Sequence, residues 1–355
     1  MAIERKERHK IPEQAPEVRR SNFEEVCTGF DLETAKAEAT RCLQCKNAPC
    51  RTGCPVAVRI PEFIKALAAG NVAEAGAIVK STNSLPSVCG RVCPQESQCE
   101  NFCVRGKMEG PVAIGGLERF VGDYMLNEPT AKSETKAHKR VAVVGSGPAG
   151  LTCASELASY GAEVTVYEAF HKPGGVLVYG IPEFRLPKKL VQAEIDKLAE
   201  KGVKFELNCV IGKSITVEEL LAENDAVFLG NGAGLPMFMG IPGENLNGVL
   251  SANEYLTRVN LMKAYDPESP TPVLRGKNVC VIGAGNVAMD AARTALRLGA
   301  NVKIIYRRSR AEMPARAEEI HHAEQEGIEF ELLTNPIQMT GQDGWVTGLT
   351  CVRMQ

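Results

Sequence analysis

Two stretches constrain this chain more than anything else in it. They are VAVVGSGPAGLTCASELASYGAEVTVYEA, from Val141, and VCVIGAGNVAMDAARTALRLGANVKIIYRR, from Val279. Each reads as a β-branched strand, a glycine turn, an amphipathic helix and a second strand, which is one βαβ unit. In the first turn Gly145 permits the tight bend, and Gly147 lets the backbone approach a pyrophosphate. Gly150 allows close helix–strand packing, and Pro148 and Ala149 open the helix on whose N-terminus the phosphate rests. Glu168 ends the next strand, where a carboxylate can bind ribose hydroxyls. A GxGxxG alone says little; with the strand, helix and acid all in place it predicts a dinucleotide site. The second turn carries Gly283, Gly285, Asn286, Val287 and Ala288. Where an NAD site would place an acid, this strand runs into Arg307 and Arg308. Their guanidinium forks can pair with a 2′-phosphate that an acid would repel, so NADP(H) is expected. The plainer alternative is a solvated basic turn, which the position at a strand end disfavours.

The second constraint is cysteine. The chain has 13, and eight of them fall between positions 42 and 103. RCLQCKNAPCRTGCP holds Cys42, Cys45, Cys50 and Cys54. CGRVCPQESQCENFC holds Cys89, Cys93, Cys99 and Cys103. The start is charged and proline-bearing, without the apolar core of a signal peptide, so a cytoplasmic protein is expected and structural disulfides are not. Zinc would use paired knuckles or histidine partners, and all five histidines lie outside both groups. Closely spaced cysteines ending in Cys-Pro resemble the ferredoxin pattern, in which the cysteine before proline serves the other cluster. Two 4Fe-4S clusters are therefore expected, with Cys54 crossing to the second group. That leaves Cys42, Cys45 and Cys50 one ligand short and four cysteines competing for three places; spacing does not say which is surplus. Cys27, Cys153, Cys209, Cys280 and Cys351 stand singly and read as packing residues.

The rest of the chain frames these sites. Lys+Arg total 41 against 43 Asp+Glu, which argues against a nucleic-acid binder working by bulk charge. No apolar run reaches the roughly 18 residues of a membrane span. Residues 1–30 read as an arm. Asp31 can cap a helix through LETAKAEATRC, Pro61 suits the first turn of EFIKALAAGN, Gly70-Asn71 breaks that helix, and IGGLERFVGDYML forms another. The fold expected is α + α/β: an N-terminal all-α iron–sulfur domain over 1–135, ending in the polar linker NEPTAKSETKAHK. Two nested Rossmann-type domains follow, FAD-binding over 136–262 and NADP(H)-binding over 263–355.

Taken together, the cysteine ladder, IGGLERF, GSGPAG, PGGVLVYGIPEFRLPK, NGAGLP and GAGNVAMD resemble the small (β) subunit family of bacterial glutamate synthase. The chain is also similar to the iron–sulfur and FAD/NADPH part of dihydropyrimidine dehydrogenase. It looks closer still to the large subunit of NADH-dependent ferredoxin:NADP oxidoreductase, the electron-bifurcating transhydrogenase, with GIPEFRLP and LMKAY leaning that way. The resemblance implies FAD, with Gly174 and Gly175 of the PGG turn beside it, at the first glycine site. It also implies that a non-cysteine side chain from the IGGL helix completes one cluster. On that pattern Cys42, Cys45, Cys50 and Glu118 form one ligand set, and Cys54, Cys93, Cys99 and Cys103 the other, leaving Cys89 surplus. A surface glutamate is the alternative reading of Glu118. No side-chain nucleophile is implied. Electrons are expected to move between NADP(H), FAD, two 4Fe-4S clusters and a partner redox subunit, giving a hetero-oligomer. The partner is either a small FAD/2Fe-2S subunit with ferredoxin or the glutamate synthase large subunit. A module with no turnover of its own is the contrasting expectation. The family's later Gly-Asp motif does not follow Gly283, so the chain is expected to be C-terminally truncated relative to that family.

Overall fold

The computed structural model describes residues 7–130 and 137–355, so part of the expected linker lies outside the described residues. The chain divides into two compact units. One comprises residues 1–13, 25–177 and 185–232; the other takes in 14–24, 178–184 and 233–355. The helical module and the first glycine-turn sheet thus form one unit, and position 262 lies inside the other.

In the first unit, short helices form where caps and breakers place them. The Asp31 carboxylate accepts from the Thr34 N–H at 2.7 Å and starts the Leu32–Ala39 helix. Pro61 sits in the first turn of the Ile60–Ala68 helix, where its missing N–H costs nothing. Gly70, at φ +84°, turns the chain into the Val72–Lys80 helix. Phe63, Ile64, Leu67, Val79, Leu117 and Val121 pack into one core that includes Cys50 and Cys99, with Cys42, Cys54 and Cys103 at its edge. Two glycines let the Pro86–Val92 and Ile114–Met125 helices nearly touch. A Cβ on Gly122 would lie 2.5 Å from the Ser87 nitrogen, and one on Gly90 would collide with the Arg119 backbone.

The same unit carries four parallel strands: β1 (Arg140–Val144), β2 (Glu163–Tyr167), β3 (Lys204–Glu206) and β4 (Ala226–Leu229), in the order β3-β2-β1-β4. In β1, Val141, Ala142 and Val143 are all buried, as in a parallel strand covered on both faces.

The second unit contains the parallel strands β5 (Asn278–Ile282), β6 (Asn301–Ile305) and β7 (Glu329–Glu331), in the order β5-β6-β7. The antiparallel pair β8 (Thr334–Gln342) and β9 (Trp345–Arg353) turns at Asp343-Gly344, both with positive φ, as a two-residue hairpin requires. The expectation of an arm over residues 1–30 needs correction. Pro16–Arg19 is a helical turn, and Arg19 is fully buried in the second unit. Its guanidinium donates to Glu326 at 3.2 Å across 307 positions of sequence. Glu326 also accepts from Arg293 and Arg297, and both arginines lie over the Phe184 ring.

Candidate redox centres and nucleotide sites

The clustered cysteines show two groups of electrostatic neighbours. Burial pushes the Cys50 thiol up to about 12, and Cys103, Cys42 and Cys45 push it the same way. Cys42 is likewise raised by burial, with Cys103 and Cys45 adding to it. Cys42, Cys45, Cys50 and Cys103 are thus close electrostatic neighbours. The turn between Cys50 and Cys54 lies on Phe102, where a Cβ on Gly53 would stand 2.5 Å from the ring, and this brings Cys103 alongside. Cys99 is raised chiefly by burial, then by Glu100, Glu118, Cys54 and Cys93. Cys54, Cys93 and Glu118 thus stand near Cys99.

The family resemblance implied another division, with Glu118 beside Cys42, Cys45 and Cys50 and with Cys103 beside Cys54, Cys93 and Cys99. The electrostatic neighbours lie the other way: Cys103 acts on Cys42 and Cys50, and Glu118 acts on Cys89 and Cys99. The cause is local packing. The glycine contacts at Gly90 and Gly122 press the Ile114–Met125 helix onto the helix that leads into Cys93, so Glu118 faces the second group. Cys89 is not remote, either. Its thiol is raised by its hydrogen bond with Cys93, by burial and by Glu118, and it donates to the Asn83 side-chain oxygen at 3.5 Å.

Glu118 is 8% exposed and accepts from Asn83 Nδ2 at 2.7 Å. Burial pushes its carboxyl up to about 7, against the Asn83 hydrogen bond. Among the described residues no cation pairs with it. An enclosed carboxyl without a cation, near the Cys89 and Cys99 thiols, fits the donor set of a metal cluster better than that of a structural ion pair. Sequence reasoning missed Asn83, whose side-chain amide holds Glu118 while its oxygen receives Cys89 and the Leu85 N–H.

The first glycine turn lies in the same unit. Gly145 has φ +92°, and a Cβ there would lie 2.5 Å from the Gly230 carbonyl oxygen. Gly147 precedes the Pro148–Ser159 helix and would place a Cβ in open space, which leaves room over the helix N-terminus for a phosphate. Gly150 packs so closely on the Gly145 carbonyl that no Cβ fits. Gly174 and Gly175 both have positive φ, and a Cβ on Gly175 would meet the Gly147 Cα at 2.6 Å. Glu168 is buried at the end of β2. One of its oxygens accepts from the Ser146 N–H at 3.0 Å and from the Ser146 hydroxyl, and the other accepts from the Phe170 N–H at 2.9 Å. Ser146 Oγ in turn accepts from the Gly174 N–H at 2.9 Å. Ser146 therefore ties Glu168, the glycine turn and the PGG turn together. The pattern GxGxxG hides it, because Ser146 occupies a position that accepts any residue.

The second glycine turn stands alone in the second unit. Gly283 has φ +116° and donates to the Ile305 carbonyl at 2.9 Å, and Gly285 caps the Asn286–Arg297 helix. Asn286 Oδ1 accepts from the Arg316 N–H at 3.0 Å, Ala288 is buried, and Val287 is exposed. Beyond β6, Arg307 and Arg308 are exposed and have no ion pair among the described residues, whereas Arg310 is taken by Glu324.

Fold and site together define an oxidoreductase that joins a 4Fe-4S helical domain to pyridine-nucleotide Rossmann units. Residues 19–130 match the family described as dihydropyrimidine dehydrogenase domain II, 4Fe-4S cluster, and residues 139–353 match pyridine nucleotide-disulphide oxidoreductase. The NADPH glutamate synthase small chain of Azospirillum brasilense is 38% identical over 97% of this chain and 73% of its own length. That of Escherichia coli is 36% identical over 97% of this chain and 75% of its own. This chain spans 53% of another similar protein, the Escherichia coli protein AegA, which is named as an oxidoreductase and is 40% identical. Among solved structures, FprA from Mycobacterium tuberculosis shares the fold over 61% of this chain and 64% of its own, with a TM-score of 0.50 and 21% identity. The chain belongs to the glutamate synthase small-chain family of pyridine nucleotide-disulphide oxidoreductases. It is an NAD(P)H-dependent oxidoreductase whose cofactors are 4Fe-4S iron–sulfur, FAD and NADP(H). No helix among the described residues is long and apolar enough to cross a membrane.

Proposed function

We propose that this chain is the electron-input subunit of a larger redox assembly, taking electrons from NADPH and delivering them through two 4Fe-4S clusters to a partner subunit. The observation that carries this reading is the placement of the clustered cysteines, the buried Glu118 and the Ser146-braced glycine turn in one compact unit. On this reading Cys42, Cys45, Cys50 and Cys103 hold one cluster, and Cys54, Cys93, Cys99 and Glu118 hold the other. The turn at Gly145, Gly147, Pro148, Ala149 and Gly150, with Glu168, Gly174 and Gly175, holds FAD. The turn at Gly283, Gly285, Asn286, Val287 and Ala288 takes the NADP(H) pyrophosphate, and Arg307 and Arg308 select the 2′-phosphate. The domains follow as a cluster module over 1–135, an FAD part over 136–262 and an NADP(H) part over 263–355.

Once bound, FAD and the clusters supply the change from two-electron to one-electron transfer. The protein contributes position. Helix N-termini receive phosphates, Glu168 and Ser146 fix the turn against the sheet, and the buried thiols and Glu118 offer anionic donors in a water-poor core. Partners are supported by the relatives. One is named as the β subunit of an NADP(+)-dependent formate dehydrogenase in Moorella thermoacetica, another as that of an NADPH-Fe(3+) oxidoreductase in Geobacter sulfurreducens. A transhydrogenase-like assembly and a glutamate synthase use the same input half, and the partner chain distinguishes them. The test is anaerobic reduction of a viologen dye. The proposal expects turnover with NADPH and far less with NADH. Clusters without NADPH–viologen activity would favour a module with no turnover of its own.

A further inference from the structure

Beside the first cysteine set the surface opens into a cavity of about 700 Å³, with Cys45 in its wall. Its rim carries Lys46, Arg51, Arg59 and Lys65. Among the described residues none of these four has an ion pair or a side-chain hydrogen bond, and the carboxylates of the cavity are Glu62 and Glu74. Most cationic side chains elsewhere in the helical module are engaged. Arg8 pairs with Glu100, Arg41 with Glu38, Arg91 with Glu25 and Asp123, and Arg105 with Glu109. A protein of net charge −2 has thus left four cations unpaired around one opening.

The wall is also built to hold its shape. Gln44 and Ala48 take positive φ, 49° and 38°, an unfavourable conformation for residues with a Cβ. The loop is pinned by Gln44 Nε2 donating to the Pro61 carbonyl at 2.9 Å and by the Ala48 N–H donating to the Cys45 carbonyl at 3.1 Å. A fixed, concave, cationic mouth with a cluster-ligand cysteine in its wall suits a charged protein surface better than a diffuse counter-ion cloud. Such charges act over about 8–10 Å at physiological salt and set orientation and encounter rate.

We infer that this mouth is the docking surface for an acidic electron-carrier protein, whose carboxylates meet Lys46, Arg51, Arg59 and Lys65 and whose redox centre is thereby brought next to Cys45. The inference rests on the proposed function, since it takes Cys45 as a ligand of the cluster through which electrons leave.

The test uses the whole chain, purified anaerobically, and an acidic bacterial ferredoxin as probe, with Kd measured by calorimetry at low and at high salt. The Arg59→Glu/Lys65→Glu variant is compared with Lys204→Glu/Lys213→Glu, which reverses the same number of charges at exposed positions on the sheet half of the same unit, Arg59 itself being half-buried. Docking at the mouth predicts a Kd weakened by about tenfold or more in the first variant, and a shallower salt dependence. The second variant stays within about twofold. Arg59→Gln/Lys65→Gln, which only removes charge, gives an intermediate loss, and matched iron content shows that the clusters are intact. Equal weakening in both reversed pairs, no weakening in the first, or no saturable binding to the wild type would overturn the inference. Wild-type NADPH–viologen reduction reports on the proposed function separately. If it is present while binding ignores the mouth, only the docking surface fails; if it is absent, the function itself fails.

Discussion

Replacing Glu326 with glutamine should unseat the interior of the second unit. This carboxylate is fully buried and serves three guanidinium groups. It accepts from Arg19 at 3.2 Å, from Arg293 at 2.7 and 3.0 Å, and from Arg297 at 2.7 and 3.1 Å. Despite burial, the Arg297 and Arg293 contacts hold its carboxyl at about 2, against a usual 4.5. At 1.36 kcal/mol per unit that difference corresponds to about 3 kcal/mol of folding stability. Breaking a buried pair by removing one partner costs roughly 3–5 kcal/mol, which agrees. Burial draws the Arg297 pKa below its ordinary value, but guanidinium remains charged at any working pH, so the carboxylate sets the acid response. The folded pKa is depressed. The contribution is therefore complete above the unfolded value of about 4.5 and is lost as pH falls through about 2. Trp345, the one tryptophan of the chain, lies in β9 of this unit and reports its unfolding by fluorescence. Urea titrations of wild type and Glu326→Gln at pH 7 should differ by about 3 kcal/mol, and the gap should narrow as the wild type is acidified below pH 4.5. A difference under about 1 kcal/mol at pH 7 would refute the reasoning, because the buried charges would then not depend on this carboxylate.

Other substitutions probe the sites separately. Glu118→Ala should lower bound iron from about eight to about four per chain and leave the cluster of Cys42, Cys45, Cys50 and Cys103 in place; Cys103→Ser should affect the opposite cluster, as seen by EPR of the dithionite-reduced protein. Gly145→Ala forces a Cβ into a positive-φ position 2.5 Å from a carbonyl oxygen, so it should cost at least about 1–2 kcal/mol and lower flavin content, checked by thermal melting and absorbance. Arg307→Ala/Arg308→Ala should raise KM for NADPH by about tenfold to a hundredfold while leaving the weak NADH reaction unchanged, which steady-state kinetics will show.

Local signals carried the parts of the fold that depend on near neighbours. The Asp31 cap, the proline turn at Pro61, the break at Gly70 and both glycine turns are written within a few residues of where they act. Partners distant in sequence are not written that way. Arg19 reads as part of a polar arm because its carboxylate, Glu326, lies 307 positions on, and a buried ion pair leaves no periodic trace. The cysteine candidates were visible as a ladder, whereas Glu118 entered only through the family resemblance. Which of these groups become neighbours was not visible, because that depends on two helices meeting at Gly90 and Gly122 and on Phe102 lying over Gly53. Ser146 and Asn83 escaped for a related reason. Each brings together groups from separate turns, and neither position is marked by residue type or spacing.

Iron and acid-labile sulfide in anaerobically purified protein test the central claim, that two four-member ligand sets in one unit hold two 4Fe-4S clusters. About eight iron and eight sulfide per chain, with a brown broad absorbance, is the predicted result. Stoichiometric zinc without sulfide, or about four iron in the unaltered chain, would contradict it.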